Sequence, residues 1–255
     1  MNYRFFSFIL LIFLTACTTD NTISFSSEIF TEEQLEICES DFCSEIEVNY
    51  LKALGNSKVS EKINAKINQF IIASLFLGED DVPAAKNIDD AATDFILAYR
   101  DHQVDIPAEL DSGGYFADIS TVELFQNNDF LSLEMRQYLF TGGAHGYGTV
   151  HFLNIDTETG DELKTEDLFS NVEGFTDFAE KVFRNEHGID VNDSINATGF
   201  WFDNETFYLP ETIGFTESKV ILIYNAYEIA SYGAGAIELE IPIAEVQPFL
   251  NNVVL

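Results

Sequence analysis

Apolar residues recur at helical spacing in three stretches of the chain. Ile63, Ile67, Phe70, Ile71 and Leu75 stand at i, i+4, i+7, i+8 and i+12, which predicts an amphipathic helix with one core face. Gly55-Asn56-Ser57 ahead of them supplies a turn and an N-cap. Phe95, Ala98 and Tyr99 mark the inner face of a second helix over 88–103, with Asp89 and Asp90 in the first turn, where the helix dipole favours acids. Phe175, Phe178, Ala179, Val182 and Phe183 mark a third, over 173–187, closed by His187 as a last-turn cation and Gly188 as the residue beyond the cap.

Other runs read as strands. Ile46, Val48 and Tyr50 alternate, and residues 115–125 and 129–140 predict a hairpin across Gln126-Asn127-Asn128. Short strands are expected at 207–209, 213–215 and 220–224. Ile237, Leu239 and Ile241 alternate with Glu238 and Glu240, as in a strand with one solvated face, and a short helix closes the chain over 243–250. The order is strand, two helices, strands, helix, strands. It predicts an α+β fold of antiparallel sheets with packed helices, in two consecutive α+β subdomains, rather than an alternating βαβ chain.

Residues 138–169 link the two halves. Gly142, Gly143, Gly146 and Gly148 fall within seven residues, a density that signals a special turn or a close approach by another group. The Gly-Gly-Ala-His-Gly run is not a phosphate loop: no Gly-Lys-Ser/Thr ends it, and a strand rather than a helix follows. His145 reads first as a turn histidine bonding backbone, and second as a ligand or general base. A second block, 227–235, joins Tyr227, Glu228, Tyr232, Gly233 and Gly235. It is either a structural corner, with tyrosine hydroxyls satisfying backbone groups, or a binding edge; the first reading weighs more. Trp201 is expected to be a core or rim aromatic rather than a sugar platform.

The chain begins with Arg4, an apolar run of ten residues over 5–14, and Leu14-Thr15-Ala16-Cys17. That run falls well short of the about 20 residues a membrane-spanning helix needs, so residues 1–16 read as a lipoprotein signal peptide and Cys17 as the residue that takes the diacylglycerol. Residues 17–37, rich in Ser, Thr, Asn and Glu, read as a tether. The chain has 12 basic and 44 acidic residues, a net charge of −32. Such a surface repels nucleic acid and anionic head groups and attracts cationic proteins; solubility or adaptation to salt is the plainer explanation. In an oxidising compartment Cys38 and Cys43 are expected to pair as a disulfide, with zinc binding a weaker rival.

The glycine-rich stretch resembles the extracytoplasmic domain of RsiV-type anti-sigma factors, which is shared with the non-catalytic N-terminal region of PdaC-type peptidoglycan deacetylases. The likeness rests on Gly142-Gly143-Ala144-His145-Gly146, on the turn from Asp156 to Gly160, on Leu163 with Asp167-Leu168-Phe169, and on the 227–235 block followed by Ile241-Pro242. It divides the remaining chain into a PdaC-like subdomain, 38–141, and an RsiV-like subdomain, 142–255. It implies a binding role, since RsiV-type domains are receptors for lysozyme, a basic protein.

Deacetylase activity does not follow. That chemistry needs an Asp pair and an HxxxH metal motif, and of the four histidines here, His102, His145, His151 and His187, none stand four apart. No cofactor and no metal site are expected. The expectation is a lipid-anchored module of the bacterial cell envelope, periplasmic or outer-membrane, that binds a cationic protein or a peptidoglycan component, with His145, Tyr227, Glu228 and Tyr232 as its candidate binding residues. The alternative is a hydrolase of cell-wall glycan or peptide using carboxylates such as Asp156, Asp167 or Glu228.

Overall fold

The computed structural model describes residues 22–39, 43–79, 82–104 and 114–254; the signal peptide expected at 1–16 and Cys17 lie outside the described residues. The fold is α+β, with two sheets and a separate hydrophobic core for each. Among the described residues, no helix is long and apolar enough to cross a membrane.

The first sheet has five strands in chain order: β1 (Phe25–Thr31), β2 (Glu45–Ala53), β3 (Phe116–Gln126), β4 (Phe130–Phe140) and β5 (Tyr147–Asp156). Helices α1 (Lys58–Leu75) and α2 (Ile88–Val104) join β2 to β3. These strands are parallel, the exception in an otherwise antiparallel fold. Parallel neighbours need a long crossover, and the helix pair supplies it. The Ser57 side chain caps α1 by accepting from the Ser60 N–H at 3.1 Å, and Asn87 accepts from the Asp90 N–H at 2.8 Å at the start of α2. Ile63, Ile67, Ile71 and Leu75 of α1, with Phe95 and Ile96 of α2, bury one sheet face made of Ile46, Val48, Ile119, Leu131, Leu133 and Leu153. Each such side chain contributes about 1.5–3 kcal/mol on leaving water.

β1 corrects the tether reading of 17–37. Residues 25–31 pair antiparallel with β2 along their whole length, from Phe25 opposite Ala53 to Thr31 opposite Glu47. They look like linker because an edge strand needs few apolar side chains; Phe30 alone is fully buried, and Ile29 is exposed. Residues 32–34 and 36–38 form short 3₁₀ turns. β5 belongs to this sheet as well, paired antiparallel with β4 from Phe130–Asp156 to Leu139–Tyr147. The first sheet therefore runs past residue 142, the expected start of the second subdomain.

The second sheet holds β6 (Thr212–Phe215), β7 (Lys219–Tyr224) and β8 (Ile237–Pro242), all antiparallel. α3 (Thr165–Leu168), α4 (Val172–Glu186) and α5 (Ile243–Val246) complete this half. Residues 207–209, expected as a strand, form no strand pairing among the described residues; Phe207 enters the core, and the Tyr208 carbonyl accepts from the Tyr224 hydroxyl. The sheets meet at β4 and β5. Phe130 packs edge-on to Phe215 with ring centres 5.2 Å apart, and Ser132 Oγ accepts from the Phe215 N–H at 3.2 Å. The first half of β4, Phe130 to Leu133, is thus buried on both faces, covered on one side by helices and on the other by the second sheet, while its far end opens to solvent at Arg136 and Tyr138.

Candidate functional site

The two motif blocks meet. After β4 the chain turns through Gly142 and Gly143, whose φ angles of +95° and +87° suit a residue without Cβ. It then brings His145 face to face with Tyr232, ring centres 3.7 Å apart and planes 13° from parallel. Both side chains reach one carbonyl: the Tyr232 hydroxyl donates to Gly146 O at 2.7 Å, and His145 Nδ1 lies 3.0 Å from the same oxygen. A carbonyl only accepts, so this bond requires the proton on Nδ1. Gly146 is fixed by space: a methyl group there would stand 2.5 Å from the Tyr138 ring and 2.7 Å from Leu139 O. The Tyr138 ring lies over the turn for that reason.

Tyr227 and Tyr147 extend the stack. Tyr227 lies 5.6 Å from Tyr232 and 6.5 Å from Tyr147, centre to centre. These rings are unusually open to water: Tyr227 is 54% exposed, Tyr138 44% and Tyr147 39%. Tyr227 also has φ +73°, a left-handed conformation that strains a bulky residue and collects at binding sites. Beside the stack, Asp118, Arg136, Tyr138, Gly148 and Asn225 line a groove of about 290 Å³.

The backbone behind the rings is firmly held. Asn225 bridges the sheets, accepting from the Val150 N–H at 2.8 Å and donating to Val150 O at 3.0 Å. Glu228 is half-buried and accepts from the Asn225 N–H at 2.9 Å. Burial pushes its carboxyl above the usual range, partly offset by that hydrogen bond. Half-exposed Trp201 donates its indole N–H to Glu228 O at 3.2 Å, so it braces this loop from the side. Of the expected residues, His145, Tyr227 and Tyr232 share one face, and Glu228 supports it from within. Tyr138 and Tyr147 were not expected there; the available signal was their position flanking a glycine cluster, where rings lie across bare backbone.

The other expected residues lie elsewhere. Cys38 and Cys43 are joined by a disulfide. His102 Nδ1 bonds the Tyr115 hydroxyl at 2.9 Å. His187 packs against Phe183 and Phe200, ring centres 4.3 and 4.9 Å away, and burial lowers its pKa; the helix-end cation read from its position is instead an aromatic-packed imidazole. Asp156 holds its turn by accepting from the Glu158 and Thr159 N–H groups at 2.9 and 2.8 Å, and Asp167 accepts from the Lys164 N–H at 3.0 Å at the start of α3. Among the described residues, no group of three or more His, Cys, Asp or Glu side chains is placed to hold a metal ion.

Two family models match separate parts of the chain. Residues 37–147 match the family model described as deacetylase PdaC, and residues 165–244 match a family of unknown function, DUF3298. Two solved structures share the fold. One is a DUF3298 family member from Bacteroides fragilis, 20% identical, with a TM-score of 0.63 over 91% of this chain and 95% of that one. The other is a DUF3298 family protein from Pseudomonas aeruginosa, 19% identical, with a TM-score of 0.61 over 92% and 96%. No curated protein matches the chain.

Proposed function

We infer that this chain, which joins a PdaC-like region to a DUF3298 region, is a binding module of the bacterial cell envelope, anchored through a lipid on Cys17 and docking a cationic protein on its aromatic face. The observation that supports this most is the open stack of Tyr227, Tyr232, His145 and Tyr147 beside Tyr138. Tyrosine is a favoured anchor at protein interfaces, because it gives large contact area with few torsions to freeze. Here the rings are backed by tight turns and cross-sheet hydrogen bonds, so little order remains to be imposed on binding. The net charge of −32 supplies long-range attraction for a basic partner such as lysozyme.

A cell-wall glycan is the second reading. The groove beside Tyr138 favours it, since Ser120, Thr149 and Asn225 offer hydroxyl and amide partners next to a ring on which a sugar can stack. A hydrolase has less support: Asp156, Asp167 and Glu228 each accept backbone hydrogen bonds within their own turn or cap.

Capture of lysozyme at low and high salt tests the first reading. Binding is expected at low salt, weakened at high salt and weakened about tenfold or more by Tyr147→Ser with Tyr227→Gly. An empty low-salt capture, or a variant that binds like the parent, overturns it. Binding to glycan fragments with no lysozyme capture moves the assignment to the second reading.

A further inference from the structure

A second cavity, of about 390 Å³, opens where β5, the turn after it and the start of β6 come together. His151, Asn154, Glu162, Lys164, Glu166 and Glu211 line it. Its size suits a small organic ligand. With His151 neutral, the lining has three carboxylates and one lysine, 1 − 3 = −2. Burial lowers the His151 pKa, while Glu162 and Glu211 raise it, so both carboxylates bear on the imidazole. Glu162 is already paired with Lys66 at 3.0 Å. Glu166 and Glu211 make no ion pair among the described residues.

An independent feature at the same place calls for a donor. Asn154 is 5% exposed, and its amide nitrogen is spent on Ile213 O at 2.8 Å. Its Oδ1 is buried with no hydrogen-bond partner. An acceptor left in that state is destabilising, and a ligand that donates to it would restore the lost hydrogen bond. The cavity thus offers an orphaned amide oxygen, two uncompensated carboxylates and an imidazole held neutral by burial. All of these accept hydrogen bonds. Lys164 is the single cation on the rim.

We propose that this cavity binds a primary ammonium group, donating to Asn154 Oδ1 and facing Glu166 and Glu211. Lysine side chains and diamino acids both present that group; the second also has a carboxylate in reach of Lys164. The site shares no lining residue with the aromatic face, so either assignment can fail alone.

Titration calorimetry on the full chain with Nα-acetyl-lysine amide, its uncharged isostere Nα-acetyl-norleucine amide, and meso-diaminopimelate tests the proposal. The two ammonium compounds are expected to bind and the isostere not to. Glu166→Gln and Glu211→Gln are each expected to weaken binding about tenfold, while Glu245→Gln on exposed α5 leaves it unchanged. Tighter binding of diaminopimelate, lost in Lys164→Met, would assign the site to a free amino-acid head; equal binding assigns it to lysine-type side chains. The proposal is overturned if the isostere binds equally, if both Glu→Gln variants keep full affinity, or if Ca²⁺ displaces the amines.

Discussion

The two cores of this protein are built from different materials. The first is aliphatic: Ile63, Ile67 and Ile71 of α1 lie on Val48, Ile119 and Leu133 of the five-stranded sheet. The second is richer in rings: among aliphatic neighbours such as Leu222 and Ile241, Phe175, Phe183, Phe202, Phe207, Phe215 and Tyr224 gather around one helix and a three-stranded sheet. Aliphatic packing of helix on sheet is spread over many small contacts at regular spacing. The aromatic core depends on a few large rings, several delivered by the irregular segment between α4 and β6. Phe183 alone meets Phe200, Phe202, Phe207 and Tyr224, with ring centres 4.9, 5.4, 5.5 and 6.2 Å away. The half with fewer strands thus gathers its packing around single residues, and it supplies Tyr227 and Tyr232 to the aromatic face, while Tyr138, His145 and Tyr147 come from the first sheet and its β4–β5 turn.

The largest expected effect tests this concentration. Phe183→Ala should cost about 3–5 kcal/mol, whereas Ile67→Val in the first core should cost about 0.5–1.5 kcal/mol. Urea unfolding of the two variants measures the contrast, and equal losses would break it. Next comes the junction. Asn225→Ala removes both bonds to Val150 and leaves backbone groups of β5 unpaired, for a loss of about 1–3 kcal/mol. Hydrogen exchange should then rise at Val150 and in the 225–232 loop; exchange unchanged at both would show that the halves hold together without it. The smallest effect concerns Glu228. Its carboxyl pKa is raised in the fold, so its contribution favours the folded state most at low pH and falls as pH rises through that raised value. Glu228→Gln should flatten this slope while keeping an acceptor for the Asn225 N–H, and an unchanged pH profile would remove burial as the cause.

The difference between the cores also governs what could be read in advance. α1, α2 and α4 were legible because their apolar residues repeat every three or four positions, and the β3–β4 hairpin because its runs alternate around Gln126-Asn127-Asn128. β1 was not, since an edge strand with one fully buried side chain looks like polar linker. The parallel pairing of β2 with β3 has no local signature; it follows from where two helices place the chain. Phe202 and Phe207 gave no period because loop residues reach a core by position rather than by repeat. At the site, His145, Tyr227, Glu228 and Tyr232 were identifiable as two glycine-rich blocks. Their meeting was not, because 86 residues separate Gly146 from Tyr232. Asn154 stayed hidden, since an orphaned amide oxygen can be recognised only once its neighbours are in place.

The central claim is that these two blocks form one rigid recognition face. Tyr227→Gly tests it most directly: glycine adopts φ +73° without strain, so the fold keeps its stability while the most exposed tyrosine of the face is removed. The account predicts an unchanged or raised unfolding midpoint together with about a tenfold loss of low-salt lysozyme binding. Parental affinity in a variant that folds as well as the parent would contradict it.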